Sequence, residues 1–267
     1  MQVTSPFWSA CSNGRINEVK ALLHIGANLE ERGGHDNSSP LFAAVYRHQG
    51  EVVEFLLEQN ADTQSVNKYG NTPLHVASAS GFGSCAISKL LLAKGAKCDT
   101  RNNAGQTAAH YAAHSGQPAA LRMLLCSGSD QSIKDNKGFT VLHSATQRWL
   151  CSEEDDEEDY NWMLSDSRNI IQILLGNCTD VWATLAALKA ETNDGYTAEE
   201  LTGRFGNNGF RKDGAIKNML VEALRNAEET RMVALTAFAM GNHMRLGASS
   251  TVFGMGADEI RLILDHV

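Results

Sequence analysis

The sequence predicts an all-α protein built as a solenoid of stacked helix pairs, and three observations support this fold class. A six-residue motif begins at residues 39, 72, 107 and 140, so successive copies lie 33 to 35 residues apart. A second apolar stretch follows each copy, and in the first three units a turn of small residues comes next. A period of this length with two apolar stretches is typical of a repeat array. The four motif copies read SPLFAA, TPLHVA, TAAHYA and TVLHSA.

The first helix of each unit is predicted to begin at the Ser or Thr that opens the motif. A hydroxyl at this position accepts a hydrogen bond from a free backbone N–H group of the first helical turn. A proline follows Ser39 and Thr72, and it suits this turn because no backbone donor is needed there. The alanines of the motif are small enough to let neighbouring units approach closely.

The second helix of each unit is predicted in the apolar stretches around residues 55–57, 90–92, 123–125 and 173–175. Their leucines would fill the layer between neighbouring units. A glycine or asparagine after the helix can adopt the left-handed conformation that ends it. No unit can bury its apolar face alone, so the units must stack.

These residues resemble the ankyrin repeat, whose signature joins a Thr-Pro-Leu-His motif, a leucine-rich second stretch and a Gly-Ala-Asp turn. Residues 68–75, KYGNTPLH, are a near-perfect instance, and the resemblance covers roughly residues 5 to 225. The resemblance implies an ankyrin-repeat solenoid of about six helix-turn-helix repeats. It also implies a non-catalytic protein–protein interaction scaffold that works without a cofactor.

The chain is predicted to divide into a repeat array at 1–225 and a C-terminal helical cap or tail at 226–267. The first repeat, at 7–27, lacks the Thr-Pro start, as a terminal repeat can. Repeat 5 carries an acidic insertion at 151–162 between its two helices. A last, degenerate repeat begins at 193–198.

The insertion contains an unbroken run of seven acidic residues, Glu153 to Asp159. Like charges repel, so we expect a solvated, mobile loop. One interpretation is an insertion that the loop tolerates. The other is an electrostatic arm that occupies a basic surface of this chain or of a partner.

The residues after 225 suggest an alternative function. The pattern predicts a helix over 226–244 and a short helix over 259–266. The second is slightly similar to the opening turn of an F-box helix, although the usual Leu-Pro pair is absent. The alternative is therefore a substrate-recognition adaptor of a ubiquitin ligase.

Composition excludes several function classes. The chain has 267 residues, 43% of them hydrophobic, and a formal net charge of −8. No apolar run is long enough for a membrane span, and the first residues do not form a signal peptide. The six cysteines include no CxxC pair, which is typical of free thiols in a reducing compartment. We therefore expect a cytoplasmic location, with the nucleus as the alternative, and no binding of nucleic acid or membrane.

The sequence offers little support for catalysis or for a metal site. His75, His110 and His143 occupy the same motif position, and in ankyrin proteins this imidazole holds adjacent turns together through backbone hydrogen bonds. One such residue per repeat cannot form a single metal site, because successive repeats of this family lie about 10 Å apart. No phosphate-binding loop and no Gly-x-Ser-x-Gly motif is present. We predict no enzyme, no cofactor and no small-molecule substrate, with an unrecognised enzyme as the remaining alternative.

The partner of an ankyrin protein usually lies along the loop tips and the exposed side of the first helices. Transferred to this chain, that surface holds six cations and the single anion Asp36. A basic face on an acidic molecule should attract an acidic or phosphorylated protein segment. Its aromatic residues are of the kind enriched at interfaces. We expect a monomer that binds its partner through Tyr46, Arg47, Lys68, Tyr69, Asn71, Arg101, Asn103, Gln106, His114, Lys134, Asn136, Lys137, Phe139 and Arg148.

Overall fold

The computed structural model describes residues 5–81, 84–147, 157–177, 181–205 and 215–246. These residues form helices joined by turns, and the only strand-like pairing among them is an isolated bridge between Gly33 and Ser38. The helices are α1 Pro6–Ser12, α2 Ile16–His24, α3 Pro40–Tyr46, α4 Gly50–Glu58, α5 Pro73–Ala79, α6 Ser84–Ala93, α7 Ala108–His114, α8 Pro118–Cys126, α9 Val141–Gln147, α10 Glu157–Gly176, α11 Val181–Leu188, α12 Ala198–Phe205 and α13 Ala215–Leu246.

The first helices begin where the motif predicts. Ser39 caps α3, and its side chain accepts a hydrogen bond from the N–H group of Phe42. Thr72 and Thr107 begin α5 and α7 with a capping box, in which Nδ1 of the histidine three residues later accepts a hydrogen bond from the threonine N–H group. The start of these helices therefore depends on residues close together in sequence.

The helices stack in two rows, and this confirms the predicted solenoid of about six helix pairs. The first helices α1, α3, α5, α7, α9 and α12 contact one another in that order. The second helices α2, α4, α6, α8, α10 and α13 form the other row. Motif alanines such as Ala44 and Ala112 are fully buried between first helices, and Leu56, Leu91 and Leu124 are fully buried in the second row.

Three elements differ from the sequence prediction. The pattern of repeats did not predict α11, which packs against α13. Helix α13 continues without a break through the predicted boundary at 225/226, because no glycine or proline occurs between residues 215 and 240. Helix α10 begins at Glu157, so the last three residues of the acidic run are helical rather than part of a loop. The rest of that run and the F-box-like segment lie outside the described residues.

Buried serines provide a test of the packing. The Ser88 hydroxyl is fully buried and has no hydrogen-bond partner among the described residues. An unpaired buried hydroxyl costs free energy, so Ser88→Ala should raise the free energy of unfolding by about 1 kcal/mol. In the control, Ser39→Ala should lower it by about 1 to 2 kcal/mol, because the Ser39 hydroxyl caps α3 and also bonds Ser65. Urea unfolding measures both changes, and a loss of stability in Ser88→Ala would contradict this packing.

Candidate protein-binding surface

The loops between repeats are shaped by one buried polar side chain each. In three successive loops, one side-chain oxygen accepts two backbone N–H groups at 2.8–3.0 Å, those of the residues two and four positions later. Because these bonds satisfy the backbone donors of the loop, each tip has a fixed shape. The three acceptors are Asn67, Asn102 and Asp135.

Neighbouring tips are joined by a ladder of hydrogen bonds. The N–H group of one tip donates to a carbonyl of the preceding tip at 2.7–3.0 Å, as Asn136 N does to Ala104 O. Asparagine side chains add a second set, in which Nδ2 donates to the preceding tip at 2.9–3.0 Å. The tips therefore form one continuous surface. The side-chain donors are Asn103 to Lys68 O, Asn136 to Asn103 O and Asn193 to Asn136 O.

Three of the predicted cations are held in this ladder by backbone carbonyls. Lys68 Nζ donates to His35 O at 2.8 Å, and Lys134 Nζ donates to Glu191 O at 2.8 Å. Arg101 Nη2 donates to Lys134 O at 2.9 Å. A carbonyl is neutral, so these contacts fix the cations in place without cancelling their charge. Neither these three cations nor Lys137 forms an ion pair with a residue that the structure describes.

Two exposed tyrosines each lie beside a cation of the predicted surface. Tyr69 lies at a tip and is 56% exposed, and the Lys68 ammonium is 4.9 Å from its ring centre. Tyr46 is 60% exposed at the far end of α3, with the Arg47 guanidinium 5.9 Å from its ring centre. A seven-residue helix is about 10 Å long, so Tyr46 and Arg47 lie about one helix length from the row of tips.

Several other predicted partner-binding residues are only partly exposed to solvent. Phe139 is half-buried against the ring of His143, with centroids 5.8 Å apart. Asn71 is also half-buried, and its Oδ1 accepts from the Tyr111 hydroxyl at 3.0 Å. Gln106 is half-buried, whereas His114 is exposed at the end of α7. Arg148 lies outside the described residues.

The structure adds two surface residues that the sequence interpretation missed. Arg32 Nη1 donates to Val66 O at 2.6 Å, and Val66 itself is 42% exposed. Neither residue belongs to the repeat motif, and the repeat spacing alone does not show that they meet.

Comparison with known proteins identifies the repeats. The family model for ankyrin repeats, in three copies, matches residues 7–102 and 78–182, which is more than half of the chain. The chain belongs to the ankyrin-repeat family. This confirms the family that the motif indicated, and ankyrin repeats mediate protein–protein interaction.

Several curated proteins contain similar ankyrin segments. The E3 ubiquitin-protein ligase KEG of Arabidopsis thaliana is 34% identical over 142 residues, 52% of this chain and 8% of the ligase. The ankyrin repeat protein nuc-2 of Neurospora crassa is 34% identical over 145 residues, 53% of this chain and 13% of that protein. The palmitoyltransferase AKR1 of Lachancea kluyveri is 25% identical over 218 residues, 80% of this chain and 27% of the enzyme. The chain thus spans about a quarter or less of each of these relatives.

The motif histidines link consecutive ankyrin repeats. His110 Nδ1 accepts from the N–H group of Thr107 at 3.2 Å, so the ring proton is on Nε2, which donates to Phe139 O at 3.0 Å. His75 and His143 make the same pair of contacts within and between repeats. Burial lowers the pKa of all three imidazoles, because it penalises the charged form more than the backbone contacts favour it. These side chains stabilise the ankyrin array.

The described part of the ankyrin array contains no group of three or more His, Cys, Asp or Glu side chains arranged to hold a metal ion. It also contains no helix that combines the length and the apolar character needed to cross a membrane.

Proposed function

We propose that this ankyrin array is a non-catalytic scaffold that binds an acidic or phosphorylated segment of another protein along the tips of repeats 3 to 5. The observation that carries the proposal is the row of cations at these tips. Lys68, Arg101 and Lys134 are positioned by neutral carbonyls, and Lys137 is exposed beside them. Cations held in place lose little conformational freedom when a partner binds, which favours affinity.

Acidic residues before and after this row of cations mark where the basic surface ends. Before it, Asp36 is half-buried and accepts from Asn67 Nδ2 at 3.4 Å. After it, Glu191 and Asp194 are exposed at the tip of the last repeat. Within it, the Asp135 carboxylate is buried and engaged with backbone N–H groups. The basic surface therefore consists of the tips that carry Lys68, Arg101, Lys134 and Lys137.

The chain has a formal net charge of −8, so the basic surface contrasts with the acidic molecule around it. The overall charge repels most acidic partners, while the tips attract one that presents its carboxylates or phosphates in a row. Tyr69 beside Lys68 adds apolar contact area of the kind found in binding hot spots.

A non-catalytic role is supported by the kind of fold and by the titratable groups. Ankyrin repeats are generally non-catalytic. The histidines with lowered pKa lie one per repeat and bond backbone groups, so they do not converge in one pocket. The similarity to a palmitoyltransferase covers 27% of that enzyme, and the alternative of a ubiquitin-ligase adaptor depends on residues outside the described part. We propose neither activity.

Reversal of one tip charge tests the proposal. Lys137→Glu should weaken binding of a fluorescein-labelled peptide of alternating glutamate and phosphoserine by about fivefold to tenfold at low salt. The Lys137 ammonium forms no hydrogen bond or ion pair with a described residue, so the substitution should leave the melting temperature unchanged. The difference should shrink at about 0.3 M salt, because exposed charges are screened. Fluorescence anisotropy measures both affinities.

The control is Arg225→Glu, which makes the same charge change on α13, away from the tips. Arg225 is highly exposed, and its ion pair with Glu229 is 4.0 Å long. Equal effects of the two substitutions, or no binding of the peptide at all, would overturn the proposal.

A further inference from the structure

A second surface with the features of a binding site lies on the row of second helices. Helices α8 and α10 leave an open trough of about 680 Å³ between them. This volume lies in the range of sites that hold small ligands or short peptide segments. The trough is formed by helix faces and not by the loop tips, so it does not depend on the proposed function.

The trough is lined by both apolar and polar side chains. Leu125 of α8 and Ile173 of α10 supply apolar surface. Asn169 and Gln172 present exposed amides from α10. An amide side chain both donates and accepts hydrogen bonds, so it suits a peptide main chain, which offers N–H and C=O groups.

The opposite wall carries the charge. Arg122 is exposed in the middle of α8 and forms no ion pair with a residue that the structure describes. The two adjacent helices also carry exposed basic residues, Lys89 on α6 and Arg168 on α10, and neither forms an ion pair with a residue in the described part of the chain. Helices α6 and α8 contain no acidic residue, and Asp166, the one acid at 165–177, is half-buried.

The end of the trough is open at Gly176. A Cβ atom added there would meet no atom within 4 Å. Because Gly176 lines the trough, a larger side chain at this position should reduce the space for a bound segment.

We propose that the trough between α8 and α10 binds a short acidic segment of a partner protein. A carboxylate of the segment pairs with Arg122, an apolar side chain rests on Leu125 and Ile173, and the main chain bonds the amides of Asn169 and Gln172. Arg122 in the trough, with Lys89 and Arg168 on the adjacent helices, favours an acidic segment over a basic or neutral one.

The test uses the full chain and the acetylated hexapeptide Glu-Leu-Glu-Glu-Leu-Glu as the probe. Titration of ¹⁵N-labelled protein should give saturable amide shifts in residues 119–126 and 169–177. Arg122→Glu should weaken binding about tenfold, since a charge-assisted bond is replaced by repulsion. Gly176→Leu should weaken it about fivefold by filling the trough without a change of charge.

Two controls separate this site from the tip surface. Arg225→Glu and Lys137→Glu should each change the affinity of the hexapeptide less than twofold. Shifts confined to the tips, an affinity that is equal in Arg122→Glu and Arg225→Glu, or the absence of saturable shifts would overturn the trough as a site. None of these results would by itself remove the binding proposed at the tips, which the phosphoserine peptide tests separately.

Discussion

Lowering the pH from 7 to 5 should lower the free energy of unfolding of this chain. The cause is the set of motif histidines, His75, His110 and His143, which are buried and neutral in the folded chain. Burial holds their pKa below the ordinary value of 6.5. The unfolded chain therefore binds protons that the folded chain does not.

The sign follows from proton linkage. Well above pH 6.5 the imidazoles are neutral in both states, so the free energy of unfolding does not change with pH through them. As the pH falls below 6.5, the unfolded state gains protons first and is stabilised, with a limiting slope of about 4 kcal/mol per pH unit for three protons. The loss ends when the pH falls below the lowered pKa of the folded state.

Urea unfolding at several pH values measures this dependence, and NMR titration of the ring protons assigns it. Equal stability at pH 7 and pH 5, or motif histidines whose rings gain a proton in the folded chain near the ordinary pKa of 6.5, would show that the imidazoles do not hold the repeats together as the hydrogen bonds indicate.

The second large effect is expected at a loop tip. Gly105→Ala should lower the free energy of unfolding by about 3 kcal/mol. Gly105 has a φ of +79°, and a Cβ atom there would lie 2.8 Å from the backbone N of Asn136. The new methyl group would strain its own backbone by about 1 to 2 kcal/mol and would displace the next tip. It would thereby weaken the bond from Asn136 N to Ala104 O.

Gly128→Ala is the matched control. Gly128 has a φ of +90°, but an added Cβ meets nothing within 4 Å, so its cost should be only the backbone strain of about 1 kcal/mol. Urea unfolding compares the two variants. If they lost the same free energy, the close packing of neighbouring tips would not contribute to stability.

The start of most first helices could be predicted from the sequence because it depends on local chemistry. Ser39, Thr72 and Thr107 cap helices wherever their neighbours lie, and the four motif copies establish the period. Helix α11 could not be predicted in this way, because it interrupts the period and depends on packing against α13. The continuous α13 could have been inferred from the absence of glycine and proline, but the end of the repeats suggested a boundary.

The sequence was enough to predict which residues form the candidate surface, but not how those residues are arranged. The cations were assigned to the tips from the repeat positions, and the structure places Lys68, Arg101, Lys134 and Lys137 there. Their bonds to carbonyls of adjacent repeats join residues that are far apart in sequence, so spacing within a single repeat does not reveal them. The half-buried position of Phe139 depends in the same way on tertiary contacts, here with His143.

Amide hydrogen exchange of the full chain, with and without the glutamate–phosphoserine peptide, tests the central proposal most directly. The bound peptide should slow exchange in the tip loops at 66–71, 101–106 and 134–139, with little change in the last tip at 191–196. Protection in the last tip or in the second helices, with none in the three basic tips, would contradict it.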